Sequence, residues 1–193
     1  MLKDLKRGIP LLENELIESG ISKEQIDFLV LEGKLKKYDK IEEIYYINNP
    51  TYFEGLTFDT TLSIDYVIEK LYIGDNNEYG MYYNLTLLNK YGGCNQVPYI
   101  IEIITTKVEK VEELVIDDRK FILYPYKEIY NLSNVDKLLV IFDVIFNKYV
   151  DYLDIPVSEL YQRITSYYNL SDESVNQYRN YIKDFEEVTK GVV

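Results

Sequence analysis

The hydrophobic pattern of the first fifty residues alternates between two periods. Residues 11–19, Leu-Leu-Glu-Asn-Glu-Leu-Ile-Glu-Ser, place Leu12, Leu16 and Ile17 on one helical stripe, and Gly20 marks its end. Ser22 then stands as an N-cap, with Gln25 three positions on as its capping-box partner. Ile26, Leu29 and Val30 give a second helix its buried face, and Gly33 supplies its stop. The two helices are separated by a turn of helix-turn-helix length. After Gly33 the period shortens, and segments 35–38 and 44–47 read as strands around a charged turn. Helix, turn, helix and hairpin together predict a winged helix, which Asn48-Asn49-Pro50 closes.

The remainder predicts a larger mixed domain. Residues 51–60 read as a linker around Gly55, and 61–72 as a strand-to-helix element. Asp75-Asn76-Asn77 is a loop. A helix is expected over 82–91 and a β-branched strand over 99–106. Segments 114–116 and 120–124 flank Asp117-Asp118-Arg119 as a hairpin that Pro125 ends. An apolar helix is expected over 135–152, with Val140, Ile141, Val144 and Ile145 deeply packed. Another runs from Pro156 to about 168, and Ser171 caps a last one over about 172–188. The expected fold class is α+β: a winged helix-turn-helix domain over 1–50, then a mixed α/β domain over 51–193 with C-terminal helices.

Composition narrows the chemistry. The 193 residues include no histidine and a single cysteine, Cys94. That removes Ser-His-Asp and Cys-His catalysis, histidine-ligated metals, cysteine-built zinc sites and any intrachain disulfide. No cofactor or metal is expected. The run of ~20 apolar residues that a membrane span needs is absent, and no signal-type apolar segment follows the basic start, so the expectation is a cytoplasmic protein with no membrane partner. Net charge is −12, yet residues 1–40 hold eight basic and eight acidic side chains, so the later residues carry the whole imbalance. An anionic partner would therefore meet the N-terminal part. The 21 tyrosines fit half-buried rings, AT-rich coding, or a surface on which bases stack.

Residues 79–106 carry a resemblance. A helix like that at 82–91 leads to Gly93, then to Gln96-Val97-Pro98 and a strand at 100–106. With Glu69-Lys70-Leu71-Tyr72-Ile73, the Tyr79-Gly80 pair and the hairpin near 115–124, this order and spacing resembles the AbiEi-type antitoxins of type IV toxin–antitoxin (abortive-infection) systems. The likeness runs from about residue 68 to 135, and the C-terminal helices are compatible with it. It implies a winged helix-turn-helix that binds repeats in the protein's own promoter and represses the operon. It also implies a second domain that counters a nucleotidyltransferase-like toxin without a stable complex. Two departures stand out. Glu42-Glu43-Ile44-Tyr45 replaces an Arg-Gly-Ile-Tyr-like end of the wing, and Gly-Gly-Cys-Asn replaces Gly-Leu-Thr-Thr before Gln96.

On this reading the first turn of the second helix enters the major groove. Ser22, Lys23 and Gln25 face outward. Gln25 either reads adenine through its amide, worth roughly 1–3 kcal/mol of discrimination, or acts only as a cap. Lys34, Lys36, Lys37 and Lys40 meet backbone phosphates and set the salt dependence, unless they merely solvate a surface. Repressors of this kind bind two half-sites, so a homodimer or two copies on one operator is expected. The other reading is an acidic protein-interaction module without DNA binding, which the net charge and Glu42-Glu43 favour. Asp117-Asp118 and Asp75-Asn76-Asn77-Glu78 read as turns, since adjacent carboxylates point apart and calcium-loop spacing is missing. Cys94, with no base to name beside it, reads as a buried small residue.

Overall fold

The computed structural model describes residues 5–48, 50–59, 61–126, 149–167, 169 and 171. Residues 135–148 of the helix expected over 135–152, and the helix expected over 172–188, lie outside the described residues. The chain forms two compact units, Met1–Leu71 and Tyr72–Val193. Both mix helices with strands, so the fold class is α+β.

The first unit starts with strand β1 (Leu11–Leu12), then helices α1 (Glu13–Glu18) and α2 (Lys23–Leu31), then β2 (Lys36–Lys37) and β3 (Ile44–Tyr46). The three strands pair antiparallel in the order β1-β3-β2, with Leu11 opposite Tyr45 on one side and Lys37 opposite Tyr45 on the other. The helical stripe expected from residue 11 is corrected here. Leu11 and Leu12 extend to pair with β3, and α1 has only six residues, capped where Glu15 Oε2 accepts from the Leu12 N–H at 3.1 Å. Leu16 is buried, but Ile17 is 47% exposed. Helix α2 keeps the expected box: Ser22 Oγ accepts from the Gln25 N–H at 3.3 Å, and Gln25 Oε1 accepts from the Ser22 N–H at 2.9 Å. It ends at Gly33, whose φ of +69° suits a residue without Cβ.

Strand β3 is buried on both faces. Tyr45 packs with Leu16, Ile21, Ile26 and Leu35, while Ile44 and Tyr46 pack with Tyr38, Leu62 and Val67. Leu62 and Val67 come from beyond Pro50, which is why the first unit continues to Leu71. Helix α3 (Ile64–Tyr72) supplies Val67, and its Lys70 ammonium, 9% exposed, bonds Glu15 of α1 at 2.6 Å. The expected linker over 51–60 is instead a hairpin, β4 (Thr51–Phe53) and β5 (Leu56–Phe58), turning at Glu54-Gly55, both with positive φ. Tyr52, Phe53 and Leu56 are all exposed, so no alternation of buried and polar positions marked these strands.

The second unit is built on a four-stranded sheet in the order β6-β7-β9-β8, from β6 (Gly80–Tyr82), β7 (Ile100–Thr105), β8 (Glu112–Ile116) and β9 (Arg119–Pro125). Strands β7 and β9 are parallel, and the other pairs antiparallel. Asp117 and Asp118 form the two-residue β8–β9 turn with φ of 53° and 61°, the mirror-image turn that matches strand twist. Helix α4 (Asn84–Lys90) begins later than expected because Tyr82 belongs to β6. Met81, Leu87, Leu88, Cys94 and Ile104 form one core with Leu160 and Ile164 of helix α5 (Val157–Tyr167). Residues 160 and 164 are one turn apart, so α5 presents a single apolar stripe. The expected helix over 135–152 has only its end among the described residues, a 3-10 turn at Val150–Tyr152. Among the described residues, no helix is long and apolar enough to cross a membrane.

Candidate nucleic-acid interface

The residues expected to meet DNA fall into two groups with different chemistry. Those at the start of α2 are engaged by the fold. Ser22 caps the helix and its hydroxyl donates to Glu24 Oε2 at 2.7 Å. The Gln25 carbonyl oxygen is held by the Ser22 N–H, so a two-bond contact to adenine would first have to release the cap. Lys23 bonds Glu13 Oε1 at 2.7 Å, while Glu13 Oε2 accepts from the Tyr45 hydroxyl at 2.8 Å. Glu13 is only 12% exposed on its side chain. The Lys23 ammonium, then the Tyr45 hydroxyl, hold the Glu13 carboxyl below its ordinary pKa. This network joins α1, α2 and β3, so Lys23, though its side chain is exposed, already holds a nearly buried carboxylate.

The hairpin lysines are differently placed. Lys36 and Lys37 are neighbours on β2, and successive strand side chains point to opposite faces. Lys36 pairs with Asp59, which also accepts from Asn48 Nδ2 at 2.6 Å. Lys36 and then Asn48 lower the pKa of Asp59. Lys34 lies 3.4 Å from Glu32, and both are more than two-fifths exposed. Lys37 and Lys40 are exposed. Exposed ion pairs contribute only about 0–1 kcal/mol, so a phosphate with its released counterions can displace Asp59 or Glu32 at small cost.

The outward face of α2 is not basic. Glu24, Asp27, Phe28 and Leu31 follow the i, i+3, i+4, i+7 spacing of one face, and Phe28 and Leu31 are 57% and 85% exposed. The turn between β2 and β3 adds Glu42 and Glu43. Glu43 sits at φ +64°, a left-handed position that favours glycine, and the residue-by-residue resemblance expects glycine there. Left-handed backbone costs a non-glycine residue about 1–2 kcal/mol. Glu43→Gly and Glu43→Ala remove the same charge, so their difference isolates the backbone. Urea unfolding is expected to find the glycine variant more stable than the alanine variant by about 1 kcal/mol. Equal stabilities would show that the turn carries no strain.

Sequence reading missed a polar cluster in the second unit. Asn84 begins α4 at φ +49° and is 7% exposed; its Nδ2 donates to Glu102 Oε1 at 2.7 Å. The Tyr124 hydroxyl donates to the same oxygen at 2.9 Å, and the Tyr83 and Tyr124 rings meet edge to face at 5.2 Å. One carboxylate with neutral donors is a means of locking α4 onto β7 and β9, and nothing in the pair supplies an acid and a base. The signal was the lone Glu102 inside an isoleucine-rich strand. Asp117 and Asp118 are exposed in their turn, as read from the sequence. Cys94 is buried, and burial raises its thiol pKa.

Burial, and then the bonded carboxylate, push Tyr45 and Tyr124 up to about 12. A raised phenol pKa means that folding favours the neutral form. This stabilisation is complete below the ordinary phenol pKa of about 10 and is lost as pH rises through 12. Alkaline titration followed by tyrosinate absorbance is expected to show a late component that Tyr45→Phe and Tyr124→Phe each reduce. A single transition near 10 in the folded chain would contradict the two buried bonds. Compared with protein-family models and with the curated proteins, the chain matches none.

Proposed function

We propose that the chain is an antitoxin and transcriptional autorepressor of a type IV, AbiEi-like toxin–antitoxin operon, with its N-terminal unit acting as a winged helix on promoter DNA. The observation that carries this is the order β1, α1, α2, β2, β3, in which two short helices and a capped turn lead into a hairpin bearing Lys36 and Lys37. The resemblance over residues 68–135 adds the second domain, whose helix at 84–90, strand at 100–105 and hairpin at 112–125 fall in the order that it requires. In this reading the lysines of the hairpin and its approaches, Lys34, Lys36, Lys37 and Lys40, provide most of the affinity through phosphates, and α2 contributes less than a basic recognition helix would. Two copies occupy one operator, and the opposed toxin is a nucleotidyltransferase-like protein that need not stay bound. The test is binding of the purified chain to its own upstream DNA across a salt series. Specific, salt-sensitive binding supports the repressor; affinity no better than for random DNA at low salt removes it.

A second reading is favoured by the acidic and apolar face of α2. Glu24 and Asp27 repel phosphate, while Phe28 and Leu31 suit a protein surface. On that reading the unit is a protein-interaction module of a phage-defence or mobile element. Phe28→Ala/Leu31→Ala would then abolish function in cells, and the unaltered chain would bind its upstream DNA no better than random DNA.

A further inference from the structure

Two apolar patches of the first unit face solvent, and each supplies what the other lacks. One is Phe28 and Leu31 of α2, on a helical face that also carries the exposed Glu24 and Asp27. The other is on the β4–β5 hairpin. Phe53 stands directly opposite Leu56, so the two side chains share one face of the hairpin, and they are 63% and 61% exposed. Tyr52, opposite Thr57, lies on the other face. Single exposed apolar residues are ordinary, but two such pairs in one small unit mark a contact surface. The hairpin is also unguarded. Among the described residues β4 and β5 pair only with each other, so their outer edges keep free N–H and C=O groups. Edges of this kind are normally protected by lysine, proline or a bulge, and Thr51–Phe53 and Leu56–Phe58 hold no charge and no proline. A lone two-stranded hairpin is marginal in water, so a covering partner stabilises it.

Charge selects the partner. The chain carries −12, so two copies repel, and they approach most easily where the surface is uncharged. A cationic partner would be drawn to acidic surface and would gain nothing from the uncharged strands of this hairpin. Two α2 faces cannot meet, because Glu24 and Asp27 would confront their own copies. The hairpin can meet α2: Phe53 and Leu56 cover Phe28 and Leu31, and the two carboxylates accept from N–H groups along the hairpin edge. Because the patches differ and lie on the same unit, a two-fold axis uses both at once, hairpin on helix and helix on hairpin. The four side chains expose roughly 500 Å² per copy, so a pair removes roughly 1,000 Å² from water, the lower end of specific interfaces and the size of a weak, reversible dimer.

We infer that the chain forms a weak symmetric dimer in which the β4–β5 hairpin of each copy packs on α2 of the other. The inference holds whether or not the chain binds promoter DNA. The test is sedimentation of the full chain, without DNA, across micromolar concentrations. A concentration-dependent dimer is expected, and it should tighten as salt rises, because salt screens the repulsion between copies. Phe28→Ala/Leu31→Ala and Phe53→Ser/Leu56→Ser are each expected to weaken it about 100-fold, about tenfold for each of the two contacts. Tyr52→Ser, on the other face, should leave it unchanged. An equimolar mixture of the two double variants should recover about tenfold, since one contact is then intact and the other loses little more than it had already lost. All these side chains are exposed, so each variant should keep the parent melting temperature. Three results would overturn the proposal: a chain that stays monomeric throughout, a dimer that both double variants leave intact, or a mixture that associates no better than either variant alone. The first would assign the two patches to a different protein.

Discussion

Gly80→Ala is expected to unfold the second unit or to cost it at least about 3 kcal/mol. Gly80 opens β6 opposite Thr105 of β7, where two backbones and a side chain converge. A Cβ there would overlap the Ile104 carbonyl oxygen and stand 2.7 Å from the Tyr72 carbonyl oxygen and 3.0 Å from the Thr105 Cβ. Both oxygens belong to the main chain, so no rotamer change relieves the contact. Thr105 is itself fully buried, with its one hydroxyl proton shared between the Tyr72 carbonyl at 2.7 Å and the Tyr79 carbonyl at 3.0 Å. Moving β6 outward to make room breaks those bonds and exposes Met81, which is 1% exposed in the core. Gly55→Ala is the control. Nothing lies within 4 Å of its Cβ, and only its φ of +81° resists the change, so it should cost about 1–2 kcal/mol. Urea titration monitored by tyrosine fluorescence separates the two. A Gly80→Ala midpoint no lower than that of Gly55→Ala would show that β6 is not clamped against β7.

What the sequence made legible were features decided within a few residues. Ser22 and Gln25 form their box from neighbours three positions apart, and Ile26 follows from helical period. The hairpin after Gly33 and the turn at Asp117-Asp118 are equally local. The misreadings are non-local. Leu11 and Leu12 fall in the segment read as a helix, yet Leu11 pairs with Tyr45 and Leu12 with Ile44, and those partners decide the conformation. Parallel pairing of β7 with β9 passes over β8, so adjacency in the chain misleads. The hairpin at 51–58 escaped because both of its faces are exposed, and Glu54-Gly55 is not a strong turn signal. The candidate interface was legible as a set of lysines. It was not legible as a set of ion pairs, since Glu13 lies ten residues from Lys23, and Asp59 lies 23 from Lys36.

Those pairs also rank the lysines. If the chain is the repressor proposed above, Lys36→Glu/Lys37→Glu is expected to weaken operator binding by about 100-fold at low salt and to reduce the salt slope by about 1.8, the value for two lost phosphate contacts. Each substitution removes a contact and adds a repulsion, so the loss exceeds that of two alanines. Asp59→Asn tests the ranking from the opposite side. It frees Lys36 while keeping an amide for Asn48, and binding should tighten severalfold with a steeper slope. Lys23→Glu should behave differently. Its partner Glu13 is nearly buried, so the reversed charge opposes a carboxylate that has lost its bonded cation and keeps the Tyr45 hydroxyl as a hydrogen-bond donor. The damage then appears in the stability of the first unit, with little specific change in the salt slope. If Lys23→Glu matched the double variant in slope while keeping its melting temperature, α2 rather than the hairpin would be the main contact. If neither variant altered binding, the lysines would be only a solvated edge. The acidic, apolar face of α2 would then be the better guide to what this protein meets.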